Sequence, residues 1–81
     1  MQKKMKKSVF YHAGCSVCVS AENEIVDLLG SNNVEIIHLG EDKTRIQKAE
    51  RLGIKSVPAL VTPFGSVLHI NFGASMEALK A

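Results

Sequence analysis

The two cysteines of this 81-residue sequence lie where a strand pattern changes to a helix pattern, and this junction limits the fold more than any other feature. The β-prone segment 8–11, Ser-Val-Phe-Tyr, precedes Cys15 and Cys18, and Ala13-Gly14 interrupts it. From Cys18 onward, apolar residues recur at the spacing of one helix face. A strand that runs through a short turn into a helix predicts an α/β protein, with the cysteines in the turn.

Short breaks that contain glycine or asparagine divide the rest of the chain into further alternating segments. The pattern predicts the order β-α-β-α-β-β-α, in which the last two strands form an antiparallel hairpin. We expect a four-stranded mixed sheet flanked by helices. The predicted strands cover residues 6–12, 34–39, 57–62 and 67–72, and the three helices follow the first, second and fourth strands.

Residues with capping chemistry mark the predicted helix ends. Thr44 and Gln47 have the spacing of a capping box for the second helix, and Asp42 is an alternative N-terminal cap. Gly53 is a natural C-terminal cap for the same helix. Ser75 can cap a short last helix.

Length and composition indicate an ordinary globular protein. The chain fits a single domain, spanning residues 1–81, and its mixture of apolar and charged residues is typical of soluble proteins. No apolar run reaches the roughly 18 residues of a membrane span, and the lysine-rich start lacks the apolar stretch of a signal peptide. We therefore expect a cytoplasmic protein without a membrane partner. The few aromatic residues do not alternate with basic ones, so we expect no nucleic-acid partner either.

A Cys-x-x-Cys motif in the cytosol, where thiols stay reduced, is more typical of redox or metal chemistry than of a structural disulfide. As a redox pair, Cys15 would precede the first helical turn, where free amides and the helix dipole stabilise negative charge. The pKa of its thiol would then fall below that of an ordinary cysteine, which would make Cys15 the nucleophile. Cys18, one turn deeper and less exposed, would resolve the resulting mixed disulfide.

Two other interpretations of the cysteines remain open at this point. A closed zinc site needs four ligands, and His12, His38 and His69 lack the paired spacing that would complete one. Two thiolates alone can carry a soft metal such as copper, so a metal-carrier interpretation survives in that form. Alternatively, both cysteines are small core residues. The position at a β-α turn favours the redox interpretation.

A second motif, later in the chain, completes a resemblance to a known family. Pro58 opens the predicted third strand in the segment Gly-Ile-Lys-Ser-Val-Pro-Ala-Leu-Val, residues 53–61. With the cysteine pair and the predicted element order, the stretch 6–80 resembles the thioredoxin superfamily, in particular its compact thioredoxin/glutaredoxin-like members. The resemblance implies a thioredoxin-like fold in which the Val57–Pro58 peptide bond is cis and lies against the cysteines. It also implies that Gly73, before the last helix, belongs to the substrate-binding surface.

The resemblance further implies a small thiol-disulfide oxidoreductase, with Cys15 as nucleophile and Cys18 as resolving thiol. The backbone of Val57 would pair with an extended substrate, beside Pro58. The partners would be a protein or small-molecule disulfide and a reductant, and the dithiol itself would be the redox group, with no other cofactor and no metal. Glutaredoxins hold the glutathione carboxylate with a Gly-Gly-x-x-Asp motif, and Met76 replaces the acid here, which argues against glutathione.

Phe10, Tyr11 and His12, which precede Cys15, are further candidates for the site. His12, as an imidazolium, would lower the pKa of the nearby thiol. Tyr11 or Phe10 would line the substrate groove. The buried acid that thioredoxins carry in this strand corresponds to Val9, so the resemblance does not extend to that proton relay.

The remaining titratable residues receive no chemical role. His38 and His69 alternate with apolar residues inside strands, so we expect them to be structural. Glu22 and Glu50 are expected on the solvent faces of their helices.

Two further predictions concern partners. The segment 67–72 has no lysine or proline to protect a sheet edge, which predicts a homodimer through this strand or the surface near it. A third function compatible with the sequence is a redox-inactive adaptor that binds a partner in the groove at Val57-Pro58.

Overall fold

Four strands and three helices alternate along residues 7–80, which are the residues that the structure, a computed structural model, describes. The strands are β1 (Ser8–His12), β2 (Val34–His38), β3 (Ser56–Val61) and β4 (Val67–Ser75), and the helices are α1 (Ser16–Leu29), α2 (Ile46–Arg51) and α3 (Met76–Lys80). This order confirms the predicted β-α-β-α-β-β-α arrangement. The predicted start of the first strand at Lys6 lies outside the described residues. None of the helices within 7–80 has the length and apolar character needed to cross a membrane.

The strands form one mixed sheet in the order β2-β1-β3-β4. β1 and β2 are parallel, as expected for strands joined through a helix, and the other neighbouring pairs are antiparallel. Tyr11, at the centre of the sheet, pairs with Ile37 of β2 and with Ala59 of β3. Because β1 lies between two strands and beneath helices, nearly all of its residues are buried.

Consecutive residues of β1 point to opposite faces of the sheet, so Phe10 and Tyr11 belong to different apolar clusters. Phe10 packs with Ala21 of α1, and with Val34 and Leu60 on the neighbouring strands. The other cluster is larger and contains residues of α2. Its buried residues include Tyr11, Ile37, Ile46, Ala49 and Val61. The sheet is therefore covered by α1 on one face and by α2 on the other.

The start of α2 differs from the prediction. The Thr44 hydroxyl donates a hydrogen bond to the Asp42 carboxylate, and a 3₁₀ turn, Lys43–Arg45, precedes the helix. No side chain caps α2 at its first residue. The predicted capping box of Thr44 and Gln47 is therefore wrong, because the hydroxyl bonds to a neighbouring side chain instead of a helix amide.

Gly53 ends α2 as predicted. Its φ of 100° lies in the left-handed region that favours glycine. Its amide donates to the carbonyl of Glu50 (3.0 Å), and the Ile54 amide donates to the carbonyl of Ala49 (3.1 Å). This pair of bonds is the Schellman arrangement, which satisfies carbonyl groups that the helix would leave free and directs the chain toward β3.

β4 is longer than predicted and ends at Ser75 rather than at residue 72. The additional residues pair with the first part of β3, since Ala74 lies opposite Val57. The register shifts between this pair and the pair of His69 with Ala59. An irregular stretch of β4 therefore lies beside the start of β3, close to the cysteine turn.

The short helix α3 is fixed at both ends. The Ser75 hydroxyl accepts a hydrogen bond from the Ala78 amide (3.1 Å), which confirms the predicted cap. Met76 is buried in the core cluster on the α2 side. The ammonium of Lys80 lies 3.0 Å from the Glu50 carboxylate, so Glu50 joins α2 to α3 rather than facing solvent alone.

Candidate active site

Cys15 and Cys18 form a disulfide at the N-terminal end of α1. Their Cα atoms are 5.0 Å apart, a normal separation for this bond. Cys15 is the N-cap residue: its Sγ accepts a hydrogen bond from the Cys18 amide (3.2 Å), and its carbonyl accepts one from the Val19 amide (3.0 Å). The sulfur thus takes the position in which a serine, threonine or aspartate oxygen usually caps a helix.

The two cysteines differ in exposure. Cys18 is fully buried, with an exposed fraction of 0 %, whereas Cys15 is partly exposed. The Cys15 sulfur also lies at the first turn of a 14-residue helix, where free amides and the helix dipole favour negative charge. Cys15 therefore has the surroundings of a reactive thiolate, and Cys18 has those of a protected thiol.

The turn between β1 and α1 depends on Gly14. Its φ of 84° lies in the left-handed region, which residues with side chains rarely adopt. Its amide donates to Nδ1 of His12 (3.3 Å), and a Cβ at this position would come within 2.8 Å of Nε2 of His38. Gly14 therefore lies against two imidazole rings and directly precedes Cys15, so the histidines shape the turn that carries the sulfur.

The surroundings of His12 favour the neutral imidazole, which does not support its predicted role as an imidazolium. Its exposed fraction is 6 %. Burial lowers the pKa of His12 most, the neighbouring His38 lowers it further, and the carboxylates of Glu22 and Glu41 act in the opposite direction. Nδ1 accepts the turn amide, so the ring proton is assigned to Nε2, which lies 3.6 Å from the Glu22 carboxylate. Because desolvation outweighs the acids, the pKa of His12 lies below its ordinary value and the neutral imidazole predominates at neutral pH.

His38 and Glu22 are residues near the site that sequence reasoning missed. His38 ends β2 opposite His12, the last residue of β1, and the ring centroids are 4.5 Å apart. Glu22, whose helical position assigned it to the solvent face, instead faces His12 from α1. A signal was available in the sequence: both parallel strands end in histidine, and the ends of parallel strands meet at one edge of the sheet.

Gly73 and the Val57 carbonyl lie beside the partly exposed cysteine. The Val57–Pro58 peptide bond is cis, and both residues are buried. A Cβ built on Gly73 would overlap Sγ of Cys15 and lie 3.1 Å from the Val57 carbonyl oxygen, so the sulfur and that carbonyl flank the same glycine. The ladder between β1 and β3 ends at Ala59, so Val57 lies beyond it and pairs only with β4 among the described strands. The structure thus places Val57 and Gly73 near Cys15, and their role in substrate binding stays a prediction.

Tyr11 and Phe10 do not reach this surface. Tyr11 is 3 % exposed and lies in the core cluster on the α2 side, where burial raises the pKa of its hydroxyl. Phe10 is fully buried on the α1 side. The expectation that one of them lines the substrate groove does not fit this burial, because a central strand covered on both faces directs successive side chains into the two halves of the core.

Metal ligands are not gathered at the site beyond the cysteines. Within residues 7–80, no group of three or more His, Cys, Asp and Glu side chains has the proximity that a metal site requires. Among these residues, a soft metal at the turn would therefore be held by the sulfurs of Cys15 and Cys18 alone.

The fold and the cysteine turn together match a solved structure, the dimeric thioredoxin-like protein NE0084 from Nitrosomonas europea, determined by NMR in solution. The two sequences are 54 % identical, the match covers 94 % of this chain and 96 % of that one, and the TM-score is 0.83. The chain therefore belongs to the thioredoxin-like proteins. No family model and no curated protein matches the sequence.

Proposed function

We propose that this protein is a small thiol-disulfide oxidoreductase in which Cys15 is the nucleophile and Cys18 is the resolving thiol. The observation that carries the proposal is the disulfide between a partly exposed sulfur at the start of a helix and a fully buried partner. This asymmetry lets a substrate reach one sulfur and leaves the other for the intramolecular step. Two inert core cysteines would need no such difference in exposure.

The proposed reaction transfers two electrons to a substrate disulfide. The Cys15 thiolate attacks one substrate sulfur, so that a mixed disulfide forms, the substrate S–S bond breaks, and the departing sulfur takes up a proton. Cys18 then loses its proton and attacks Sγ of Cys15, which forms the Cys15–Cys18 disulfide and releases the second substrate thiol. A dithiol reductant returns two electrons and two protons to the protein by the same exchange steps.

Val57, Pro58 and Gly73 form the substrate-facing surface in this proposal. The ladder with β1 ends at Ala59, so an extended substrate segment would pair with the Val57 backbone on that side. Because Val57 is buried in the free protein, this pairing needs a local opening beside Cys15. Pro58 presents no N–H donor, and Gly73 presents no side chain. Pro58 therefore adds no backbone donor at this point of the chain, and Gly73 leaves room for the Cys15 sulfur itself.

The proposed partners are a protein or small-molecule disulfide and a dithiol reductant in the cytoplasm, with no cofactor or metal beyond the dithiol itself. Met76, which replaces the acid of the glutaredoxin motif, is buried and uncharged. This supports a reductant other than glutathione. The similar thioredoxin-like protein is dimeric, and we propose that this chain also forms a homodimer.

Catalysed disulfide reduction tests the proposal. The wild-type protein should accelerate the reduction of insulin by dithiothreitol, and Cys15→Ser should lose this acceleration. Cys18→Ser should instead accumulate a mixed disulfide with the substrate, visible by mass spectrometry, because the resolving step is missing. Ser20→Ala changes an exposed residue of the same helix and should retain the wild-type rate. Equal rates for wild type and Cys15→Ser would refute the proposal.

A copper carrier would use the same sulfurs and is the second candidate. It is favoured by the location of both sulfurs within the first turn of one helix, where two thiolates can share a soft cation. Stoichiometric Cu(I) binding by the reduced protein, without accelerated insulin reduction, would identify the carrier. Absence of both activities would leave the redox-inactive adaptor as the remaining interpretation, to be tested by partner binding at Val57–Pro58.

A further inference from the structure

The two edges of the sheet differ in how they are protected. β2, at one edge, carries Glu35, whose carboxylate lies 4.0 Å from the Arg45 guanidinium. β4, at the other edge, contains no charged residue and no proline between Val67 and Ser75. Charged residues and prolines normally prevent an edge strand from pairing with another chain. Within residues 7–80 no strand pairs with the outer side of β4, so this edge can accept one.

β4 also exposes apolar side chains. Leu68 is 51 % exposed, and Ile70 is 39 % exposed. Leu68 pairs with Leu60, which packs beneath α1 with Phe10, so Leu68 lies on the α1 face as well. Ile70 is two residues further along the strand, where the pairing with β3 becomes irregular, and its side chain is exposed as well. Leu68 and Ile70 together form an apolar margin of β4 that α1 leaves exposed.

We propose that the apolar margin of β4 is the interface of a homodimer, in which the β4 strands of two copies pair antiparallel across a two-fold axis. The occupant is a second copy because identical antiparallel strands satisfy the outer backbone groups of both chains. The thioredoxin-like protein that is 54 % identical to this chain is itself dimeric. The proposal specifies the surface of the homodimer proposed above and does not depend on the redox chemistry.

The symmetry of such a dimer would bring the exposed apolar residues of the two copies together. A two-fold axis between antiparallel strands stands perpendicular to the sheet, so the α1 faces of both copies lie on the same side. Leu68 and Ile70 of one copy then lie beside the same residues of the other, and the apolar side chains of the two copies bury one another from water. On the opposite face, His69 accepts a hydrogen bond from the Lys55 amide (3.1 Å), so its imidazole already has a role within the chain.

Sedimentation of the full chain tests the interface. Over the micromolar range the wild-type protein should sediment at twice the 8.8 kDa mass of the chain. Leu68→Glu and Ile70→Glu should each weaken association by at least about tenfold, because carboxylates from both copies would meet in an apolar interface. Leu28→Glu places the same charge on an 80 % exposed leucine of α1 and is the matched control, which should remain dimeric.

Thiol chemistry separates this test from that of the proposed function. The Leu68→Glu monomer should keep the wild-type circular dichroism and the wild-type alkylation rate of Cys15. If the Leu68→Glu variant does not fold, the Ile70→Glu variant is used for the same measurements. A wild-type protein that is monomeric throughout the micromolar range would overturn the interface, as would dissociation by Leu28→Glu alone. A third outcome would also overturn the proposal. If the wild type is monomeric, and Leu68→Glu reduces insulin more slowly than the wild type but reduces a small disulfide at the same rate, the apolar margin binds protein substrates instead.

Discussion

Gly73 leaves the space that the Cys15 sulfur occupies. A Cβ at this position would overlap Sγ and would lie 3.0 Å from Cγ2 of Val17. Gly73→Ala should therefore displace the sulfur and slow disulfide exchange by roughly ten- to a hundredfold, since small misplacements of a reacting group are costly. The overpacked methyl should also lower the free energy of unfolding by about 1–3 kcal/mol. The insulin assay and urea unfolding measure the two effects.

Gly65→Ala distinguishes a local effect at the sulfur from general damage. Gly65 lies in the turn between β3 and β4 with a φ of 92°, and nothing lies within 4 Å of a Cβ built there. An alanine at this position strains the backbone by about 1–2 kcal/mol without approaching the site. It should lose stability and keep the exchange rate, whereas an unchanged rate in Gly73→Ala would contradict the contact with Cys15.

His12 makes the stability of the fold depend on pH. Burial, followed by His38, lowers the pKa of His12 in the folded state, and unfolding returns it to the ordinary value of 6.5. As pH falls below that value, the unfolded chain binds a proton that the folded chain binds less readily, so unfolding becomes more favourable. The stabilising contribution is present above 6.5 and is lost as pH falls through the lower pKa of the folded state. The urea midpoint of unfolding should therefore decrease as the pH is lowered through this range.

His12→Asn isolates the contribution of the imidazole. Its amide oxygen can accept the Gly14 N–H in place of Nδ1, but it does not take up a proton in this pH range. The variant should retain the cysteine turn, and its urea midpoint should change less with pH than that of the wild type. If both proteins lose the same stability, the pH dependence belongs to another group.

At the scale of elements, the sequence predicts β1, α1 and the hairpin of β3 and β4 because their signals are local. Glycines or a proline bound each apolar run, and the period changes from strand to helix at the cysteines. The start of α2 was missed because the Thr44 hydroxyl had two competing partners, a helix amide and the Asp42 carboxylate. The end of β4 was missed because its last residues form a strand only through pairing with Val57, after a change of register that no local pattern encodes.

The same distinction applies to the candidate site. The spacing of Cys15 and Cys18 indicates a β-α turn by itself, and the family resemblance adds Pro58 and Gly73 to it. The contact of His12 with His38 requires the register of two parallel strands, which the composition of either strand does not specify. Burial is likewise a property of the assembled sheet, so the sequence alone does not show that the core encloses the aromatic residues of β1.

At the scale of the whole molecule, the difference between the two thiols results from the packing of the complete fold. Cys18 belongs to the core cluster that also holds Val57, Leu39 and Met76, residues from separate parts of the chain. Cys15 lies at the margin of the same cluster and remains partly exposed. Access to Cys18 therefore requires local or global opening of the fold, whereas access to Cys15 does not.

Timed alkylation of the reduced protein measures this difference. Iodoacetamide should modify one thiol rapidly, and peptide mapping should place it at Cys15. Because opening the core of a small domain costs several kcal/mol, Cys18 should react at least about a hundredfold more slowly in the folded protein. In concentrated urea the protection should disappear, and the two rates should approach each other. Comparable rates in the folded protein would mean that burial does not distinguish the sulfurs, and the assignment of Cys18 as the resolving thiol would then lose its physical basis.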